Sequence, residues 1–174
     1  MKRILSLFII ILLFNSADIF PQQSGKITVE TIDKAKLTKL IKDRKGKILF
    51  LNLWATWCVP CREEFPSIVK LADEMKDVEF VGISVDFPDE VDTEIIPFLK
   101  LNKVNFTNYV NGFSGDEELI NALDKNWNGA LPATFIFDVK GNKKVFLSGS
   151  KSYDEFKKEI QKALTQPSPQ RRGL

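Results

Sequence analysis

The sequence predicts one α/β domain in which helices cover both faces of a central mixed β-sheet. Segments with the hydrophobic pattern of strands alternate with segments of helical periodicity, and the chain closes with a hairpin and a helix. A length of 174 residues suits a single domain, and a hydrophobic fraction of 44% can supply a substantial core. We expect this domain to occupy residues 26–164.

The first half of the domain is predicted to alternate between strands and helices. A short strand and a helix occupy residues 26–43. Residues 47–53 are predicted to form a strand buried on both faces, because residues 48–51 are the continuous apolar run Ile-Leu-Phe-Leu. Apolar positions at helical spacing follow Pro60, and residues 78–86 form a second buried strand.

The second half continues the alternation and ends in a hairpin. The remaining predicted elements are a helix at 95–102, a strand at 104–110, a helix at 116–127, strands at 134–138 and 143–147, and a helix at 152–164. The four residues that join the last two strands have hairpin spacing, with Gly141 available for a positive φ.

Both ends of the chain are predicted to lie outside the domain. Residues 1–25 are interpreted as a signal peptide or N-terminal anchor, because Lys2 and Arg3 precede an apolar run of 11 residues at 4–14. A bilayer span needs about 20 such residues, which favours a signal, but the weak cleavage region leaves an anchor open. We expect an exported protein, in the periplasm or at the outer face of the cytoplasmic membrane. Residues 165–174 contain two prolines and no apolar periodicity, which predicts a disordered tail.

Charge and composition exclude several classes of function. Residues 1–25 and 165–174 carry four of the 25 basic and one of the 23 acidic residues, so the domain holds 21 basic and 22 acidic residues. This balance argues against a nucleic-acid partner. The chain has no histidine, which excludes serine triads, Cys-His proteolysis and two-histidine metal sites, and makes structural zinc implausible. We expect no cofactor and no metal ion.

Cys58 and Cys61 are the candidate catalytic residues. They directly follow a buried strand and open a predicted helix, where unpaired N–H groups and the helix dipole favour a Cys58 thiolate. Cys61 lies about one helical turn further on, within reach of a mixed disulfide formed by Cys58. Pro60 suits the first turn, where a missing N–H costs nothing. A purely structural disulfide between Cys58 and Cys61 would close too short a loop to stabilise the fold much. A copper(I) site made by the two thiolates remains an alternative.

The cysteines lie in a distinctive segment. It runs Asn52-Leu53-Trp54-Ala55-Thr56-Trp57-Cys58-Val59-Pro60-Cys61-Arg62-Glu63-Glu64-Phe65-Pro66. This segment resembles the active site of the thioredoxin-like TlpA/ResA family, the thiol:disulfide oxidoreductases of the bacterial cell envelope, and the likeness spans residues 26–164. The resemblance implies a thioredoxin fold with an N-terminal extension and a central insertion.

The same resemblance implies an activity and partners. Such proteins mostly act as reductants, commonly in cytochrome c maturation, with exported protein disulfides as substrates and a membrane thiol donor as partner. Contact with the membrane is expected only if the N-terminal segment is uncleaved. A disulfide oxidase or isomerase on the same fold, and a non-enzymatic copper-binding or scaffold module, remain alternatives. A peroxidase is disfavoured, because the sequence has no lone cysteine in a threonine-rich loop.

Further site residues follow from the resemblance. Leu131-Pro132 is similar to the cis-proline loop that faces the cysteines, where the backbone of Leu131 would pair with an extended substrate segment. Trp57 resembles the aromatic residue that flanks the nucleophile, with surface packing as the alternative. Gly149 resembles the glycine that leaves room beside the proline loop, and a turn glycine explains it nearly as well.

The proton acceptor for the second thiol has two candidates. Thioredoxin keeps a buried Asp six residues before the first cysteine, whereas this chain has Asn52, which cannot titrate. Members of the resembling family often supply a carboxylate from the strand after the first helix, and Asp86 is the nearest candidate. Glu64 is a second candidate, although a solvated charge is the favoured interpretation for it because Glu63 and a polar helix face surround it.

Overall fold

The computed structural model describes residues 27–165, which form a six-stranded sheet in the order β1-β4-β3-β2-β5-β6. The strands are β1 (Val29–Ile32), β2 (Ile48–Trp54), β3 (Val78–Ser84), β4 (Thr107–Asn111), β5 (Ala133–Phe137) and β6 (Lys143–Ser148). The helices are α1 (Lys34–Lys42), α2 (Val59–Glu74), α3 (Ile96–Leu101), α4 (Asp116–Leu123) and α5 (Tyr153–Thr165). The predicted α/β class with a central mixed sheet is confirmed.

Strand β2 lies inside the sheet and leads to the cysteines. It pairs in parallel with β3, with Ile48 opposite Val78, and antiparallel with β5, with Leu53 opposite Ala133. All seven of its residues are buried. The continuous apolar run follows from this position, because a strand with neighbours on both edges and helices on both faces has no solvent side. The carboxyl end of β2 therefore delivers the chain to the start of α2.

Helices cover both faces of the sheet, as predicted. Alternate residues of β2 point to opposite faces, so each face has its own core. On one face α1 and α4 pack on the sheet through Leu37, Leu119 and Leu123. On the other face α2 and α5 pack through Ile68, Leu71, Phe156 and Ile160. A third cluster joins Trp54 and Phe65 to Ile95 and Leu99, and so seats α3 beside α2.

The structure shortens one predicted helix. Helix α4 ends at Leu123 instead of continuing to residue 127, because Asp124 is extended and its side chain accepts a hydrogen bond from the N–H of Asn126 (2.9 Å). A carboxylate that binds the backbone two residues on competes with helical hydrogen bonding. Trp127 still packs in the core, and its indole N–H donates to the carbonyl of Ala130 (2.9 Å).

The remaining boundaries shift by a few residues. A 3₁₀ turn at Pro88–Glu90 and a π-helical turn at Val91–Ile95 precede α3, and α5 includes Thr165, the first residue of the predicted tail. Residues 1–26 and 166–174 lie outside the described residues, and with them the predicted signal or anchor and the rest of the tail. Between residues 27 and 165, no helix combines the length and the apolar character that crossing a membrane requires.

Candidate active site

Cys58 and Cys61 form a disulfide at the start of α2. Cys58 is the N-cap residue, and its sulfur accepts a hydrogen bond from the N–H of Cys61 (3.3 Å). The cap position confirms the predicted placement at a helix N-terminus, where the dipole stabilises a thiolate. Cys58 is 6% exposed and Cys61 is fully buried. The unequal burial makes Cys58 the sulfur that a partner can approach.

Asp86 holds the turn that precedes Cys58. Both of its carboxylate oxygens accept from the backbone N–H of Thr56 (3.2 and 3.0 Å). Oδ1 also accepts from the hydroxyl of Thr56 (2.7 Å), and Oδ2 accepts from the hydroxyl of Ser84. The side chain is buried, so these bonds fix the end of β3 against the turn. They indicate a positioning role for Asp86, and its predicted role as proton acceptor stays a prediction.

Glu64 is buried, so the favoured interpretation of a solvated charge is wrong. The residue is 2% exposed. Its Oε1 accepts from Nδ2 of Asn52 (2.8 Å), and its Oε2 accepts from the backbone N–H of Lys151 (3.1 Å). Burial raises the pKa of Glu64 to about 7, against the opposing effect of these two hydrogen bonds and of the Lys151 charge.

Helical phase explains why Glu64 and its neighbour differ. Glu64 lies three residues after Cys61 and one before Phe65, and all three face the sheet, whereas Glu63 points to solvent. Residues three apart on a helix share one face. Counting from Cys61 would have placed the Glu64 carboxyl on the buried side.

Asn52 connects Glu64 to the sheet. Its Nδ2 group donates to Oγ1 of Thr134 (3.0 Å) as well as to Glu64, while its buried Oδ1 has no hydrogen-bond partner among residues 27–165. Asn52 and Thr134 are cross-strand partners of β2 and β5, which brings their side chains together. The position that carries an acid in thioredoxin thus serves here as a donor to an acid on α2.

The Leu131–Pro132 peptide is cis, as predicted. The carbonyl of Pro132 accepts from the N–H of Gly149 (2.8 Å), which ties the proline loop to the connection between β6 and α5. Gly149 has a φ of +76°, and a Cβ there would meet only Nζ of Lys151, at 3.9 Å. The turn explanation for Gly149 is therefore favoured over the one that gave it space beside the proline loop.

A cavity of about 1000 Å³ opens beside Cys58. Trp57, Phe87, Trp127 and Leu131 contribute to its lining. Trp57 is 66% exposed and Phe87 is 72% exposed, and covering such aromatic groups with a bound partner is favourable. We call Trp57, Phe87 and Trp127 the aromatic wall of this cavity. The position of Trp57 on this wall favours a role beside the nucleophile over surface packing.

Comparison with known proteins agrees with this geometry. A family model described as the AhpC/TSA family matches residues 20–144. The thioredoxin-like protein YneN of Bacillus subtilis (strain 168) is 32% identical over 121 residues, which are 69% of this chain and 66% of that protein. The thiol-disulfide oxidoreductase ResA of the same strain is 34% identical over 103 residues, or 58% of this chain and 52% of that protein. The chain thus matches between about half and just under two thirds of the length of these relatives.

A solved structure shows the same fold. A thiol:disulfide interchange protein of the thioredoxin family from Chlorobium tepidum TLS superposes with a TM-score of 0.58 and 28% sequence identity. The match covers 70% of this chain and 82% of the other. The thioredoxin fold inferred from the active-site segment is confirmed.

Proposed function

Because the chain belongs to the AhpC/TSA family, within its ResA-like branch, we propose that it is a thiol:disulfide oxidoreductase that reduces disulfides of exported proteins. The observation that carries the proposal is the Cys58–Cys61 disulfide, with one sulfur at the rim of a cavity and the other fully buried at a helix start. This asymmetry supplies a nucleophile and a resolving thiol in one motif.

In the reduced protein the reaction starts at Cys58. Its thiolate, favoured by the helix N-terminus and the N–H of Cys61, attacks one sulfur of a target disulfide. The target S–S bond breaks, a Cys58–target disulfide forms, and the other target sulfur leaves as a thiolate. Cys61 then attacks the Cys58 sulfur, which releases the second target thiol and leaves the Cys58–Cys61 disulfide. Two electrons pass to the target, and a membrane thiol donor restores the dithiol.

Glu64 serves as the proton acceptor for Cys61. Cys61 is fully buried, so bulk water cannot take its proton directly, and the Glu64 carboxyl lies one helical turn further along the same face. A pKa of about 7 lets this carboxyl accept a proton near neutral pH and release it again. The role predicted for Asp86 passes to Glu64 in this proposal.

The proline loop and the cavity bind the substrate. The backbone of Leu131 can pair with an extended segment as an added strand would, and the aromatic wall around Trp57 covers its apolar side chains. Main-chain pairing supplies affinity without strong dependence on sequence. Exported proteins with exposed disulfides fit this site, and an apocytochrome c in cytochrome c maturation is the substrate that the family resemblance favours.

The residues between the cysteines favour electron flow from this protein to its target. Val59 and Pro60 place no positive charge beside Cys58, which favours the reductant direction because a less stabilised thiolate makes the disulfide a weaker oxidant. A disulfide oxidase or isomerase would need a much higher reduction potential, and a copper module would bind copper(I) without turnover. Measuring the potential and titrating copper distinguish these alternatives from the reductase.

Insulin reduction tests the activity. We expect the wild-type domain to catalyse reduction of insulin disulfides by dithiothreitol, and Cys58→Ser to abolish this catalysis. Glu63→Gln, which alters an exposed neighbour of Glu64, should retain it. Absence of catalysis by a folded wild-type protein would contradict the proposal. In cells, thiol trapping should find the cysteines mainly reduced, and a mainly oxidised state would contradict the reductant direction.

A further inference from the structure

The Glu64 carboxyl and the proline loop are linked by a closed ring of contacts. One side of the ring is the connection between β6 and α5, where Gly149 donates to the carbonyl of Pro132 (2.8 Å) and Lys151 donates its backbone N–H to Oε2 of Glu64 (3.1 Å). The other side runs from Glu64 through Asn52 to Thr134, which is two residues after Pro132. The ring joins the group that receives the proton to the loop that binds the substrate.

The side chain of Lys151 holds its own loop in shape. The ammonium donates to three successive carbonyls, those of Ser148 (2.7 Å), Gly149 (2.9 Å) and Ser150 (3.2 Å). Lys151 is half-buried, so solvent screens this charge only in part. The Lys151 ammonium therefore stabilises the turn at residues 148–150, and the backbone N–H that directly follows this turn binds the Glu64 carboxylate.

Among residues 27–165, the other groups near Glu64 bring no comparable charge. On α2 the neighbours Arg62 and Glu63 are exposed, and in the sheet the partners Asn52 and Thr134 are uncharged. At the start of α5 the carboxylate of Glu155 accepts from the backbone N–H and the hydroxyl of Ser152. Lys151 lowers the pKa of Glu64 through its backbone hydrogen bond and its charge, while burial acts in the opposite direction. Once it is reduced, Cys61 is a further titratable group on the same buried helix face as Glu64.

We propose that Lys151 is a positioning residue of the dithiol reaction, whose ammonium and backbone N–H together keep Glu64 available as the carboxylate that accepts the Cys61 proton. This role rests on the proposed function and deepens it. Since the same loop binds the carbonyl of Pro132, Lys151 also keeps the proton acceptor and the substrate loop in a fixed relation.

The test is a titration of the Glu64 carboxyl in the disulfide form of the protein, with no substrate present. Side-chain carboxyl carbons of glutamate are followed by NMR, and the Glu64 signal is assigned by its loss in Glu64→Gln. Lys151→Gln removes the charge, Lys151→Arg keeps it, and Lys158→Gln neutralises an exposed lysine of α5. We expect the midpoint to rise by about 0.5 to 1 pH unit in Lys151→Gln and to change little in the other two lysine variants.

A kinetic readout accompanies the titration. The pH midpoint of Cys61-dependent release of a Cys58 mixed disulfide should rise by the same amount in Lys151→Gln, with thermal unfolding used to verify that each variant folds. An unchanged Glu64 midpoint in Lys151→Gln would overturn the inference, and so would an equal rise in Lys151→Arg. If Lys151→Gln does not fold, Lys151→Met takes its place, with the same expected rise. Failure of insulin reduction by the wild type would instead overturn the proposed function and leave the carboxyl titration unaffected.

Discussion

Glu64 on α2 and Asn52 on β2 form a buried hydrogen-bonded pair, with Nδ2 of Asn52 2.8 Å from Oε1 of Glu64. In thioredoxin the acid comes from the strand, at the position of Asn52, whereas here it comes from the helix that carries the cysteines. The exchange keeps one carboxyl on the buried helix face that carries Cys61. It also places that carboxyl under the influence of the loop that contains Lys151.

Removing the carboxyl should slow the resolving step. In Glu64→Gln no group on the buried face of α2 can accept the Cys61 proton, so we expect release of the mixed disulfide to fall by about 100-fold near pH 7, the lower range for general base catalysis. Stopped-flow measurement of a preformed Cys58 adduct checks this. Glu63→Gln is the control, and an equal loss in both variants would contradict the assignment.

The raised pKa of Glu64 should appear in the pH dependence of stability. Its value rises from 4.5 to about 7 on folding, so the native state binds more protons than the unfolded chain between these limits. The contribution of Glu64 to the free energy of unfolding of the disulfide form should therefore be most favourable below pH 4.5, and it should fall as the pH rises from 4.5 through 7. Relative to Glu64→Gln, the wild type should lose up to about 3 kcal/mol across this range. Urea unfolding of both proteins at several pH values measures the difference, and parallel curves would refute it.

Asn52→Leu should destabilise the protein in a pH-dependent way. The amide donates to the ionised carboxyl, so its loss leaves a buried charge with one fewer partner above pH 7. Below that range the cost should be smaller, since a protonated Glu64 needs less support and the unpaired Oδ1 of Asn52 is removed as well. Unfolding of the variant at pH 5 and pH 8.5 tests this, and a cost that is equal at both values would contradict it.

Asp86→Asn should act on stability and not on proton transfer. The carboxylate binds Thr56 and Ser84 in the turn before Cys58, and weakening these bonds should cost about 1 to 3 kcal/mol. The pH midpoint of mixed-disulfide release should stay at the wild-type value. Asp89→Asn, an exposed acid nearby, serves as the control for stability. A shifted midpoint would return the acceptor role to Asp86.

The aromatic wall should matter for protein substrates alone. Trp57→Ala removes an exposed ring beside Cys58, so we expect kcat/KM for a protein disulfide to fall by about tenfold, while reduction of a small aromatic disulfide reagent changes little. Val139→Ser alters an exposed apolar residue that is not in the cavity lining and should leave both rates unchanged. Equal losses with both kinds of substrate would argue for an effect on the thiol instead.

Much of the fold could be predicted because its signals are local. The apolar run of β2, the helical spacing after Pro60 and the hairpin around Gly141 each reflect the burial of their own residues. The end of α4 was missed because the side chain of Asp124 captures a backbone N–H that the apolar pattern does not report.

In the site as well, residues with local sequence signals could be predicted and contacts between distant residues could not. Cys58 and Pro132 were identified because the sequence around each is distinctive. Burial of Glu64 was missed because a neighbouring acid obscured its place on the helix face, although its spacing from Cys61 contained the information. The contact with Lys151 joins residues 87 positions apart, and no local pattern predicts it.

Trapping of the mixed disulfide tests the central claim most directly. Cys61→Ser and Cys58→Ser proteins, reduced and exposed to a protein disulfide, are quenched with acid and separated without reductant. We expect Cys61→Ser to accumulate a covalent adduct through Cys58, which dithiothreitol releases, and Cys58→Ser to accumulate almost none. No adduct with a folded Cys61→Ser protein, or equal adducts with both variants, would contradict the claim that Cys58 attacks and Cys61 resolves.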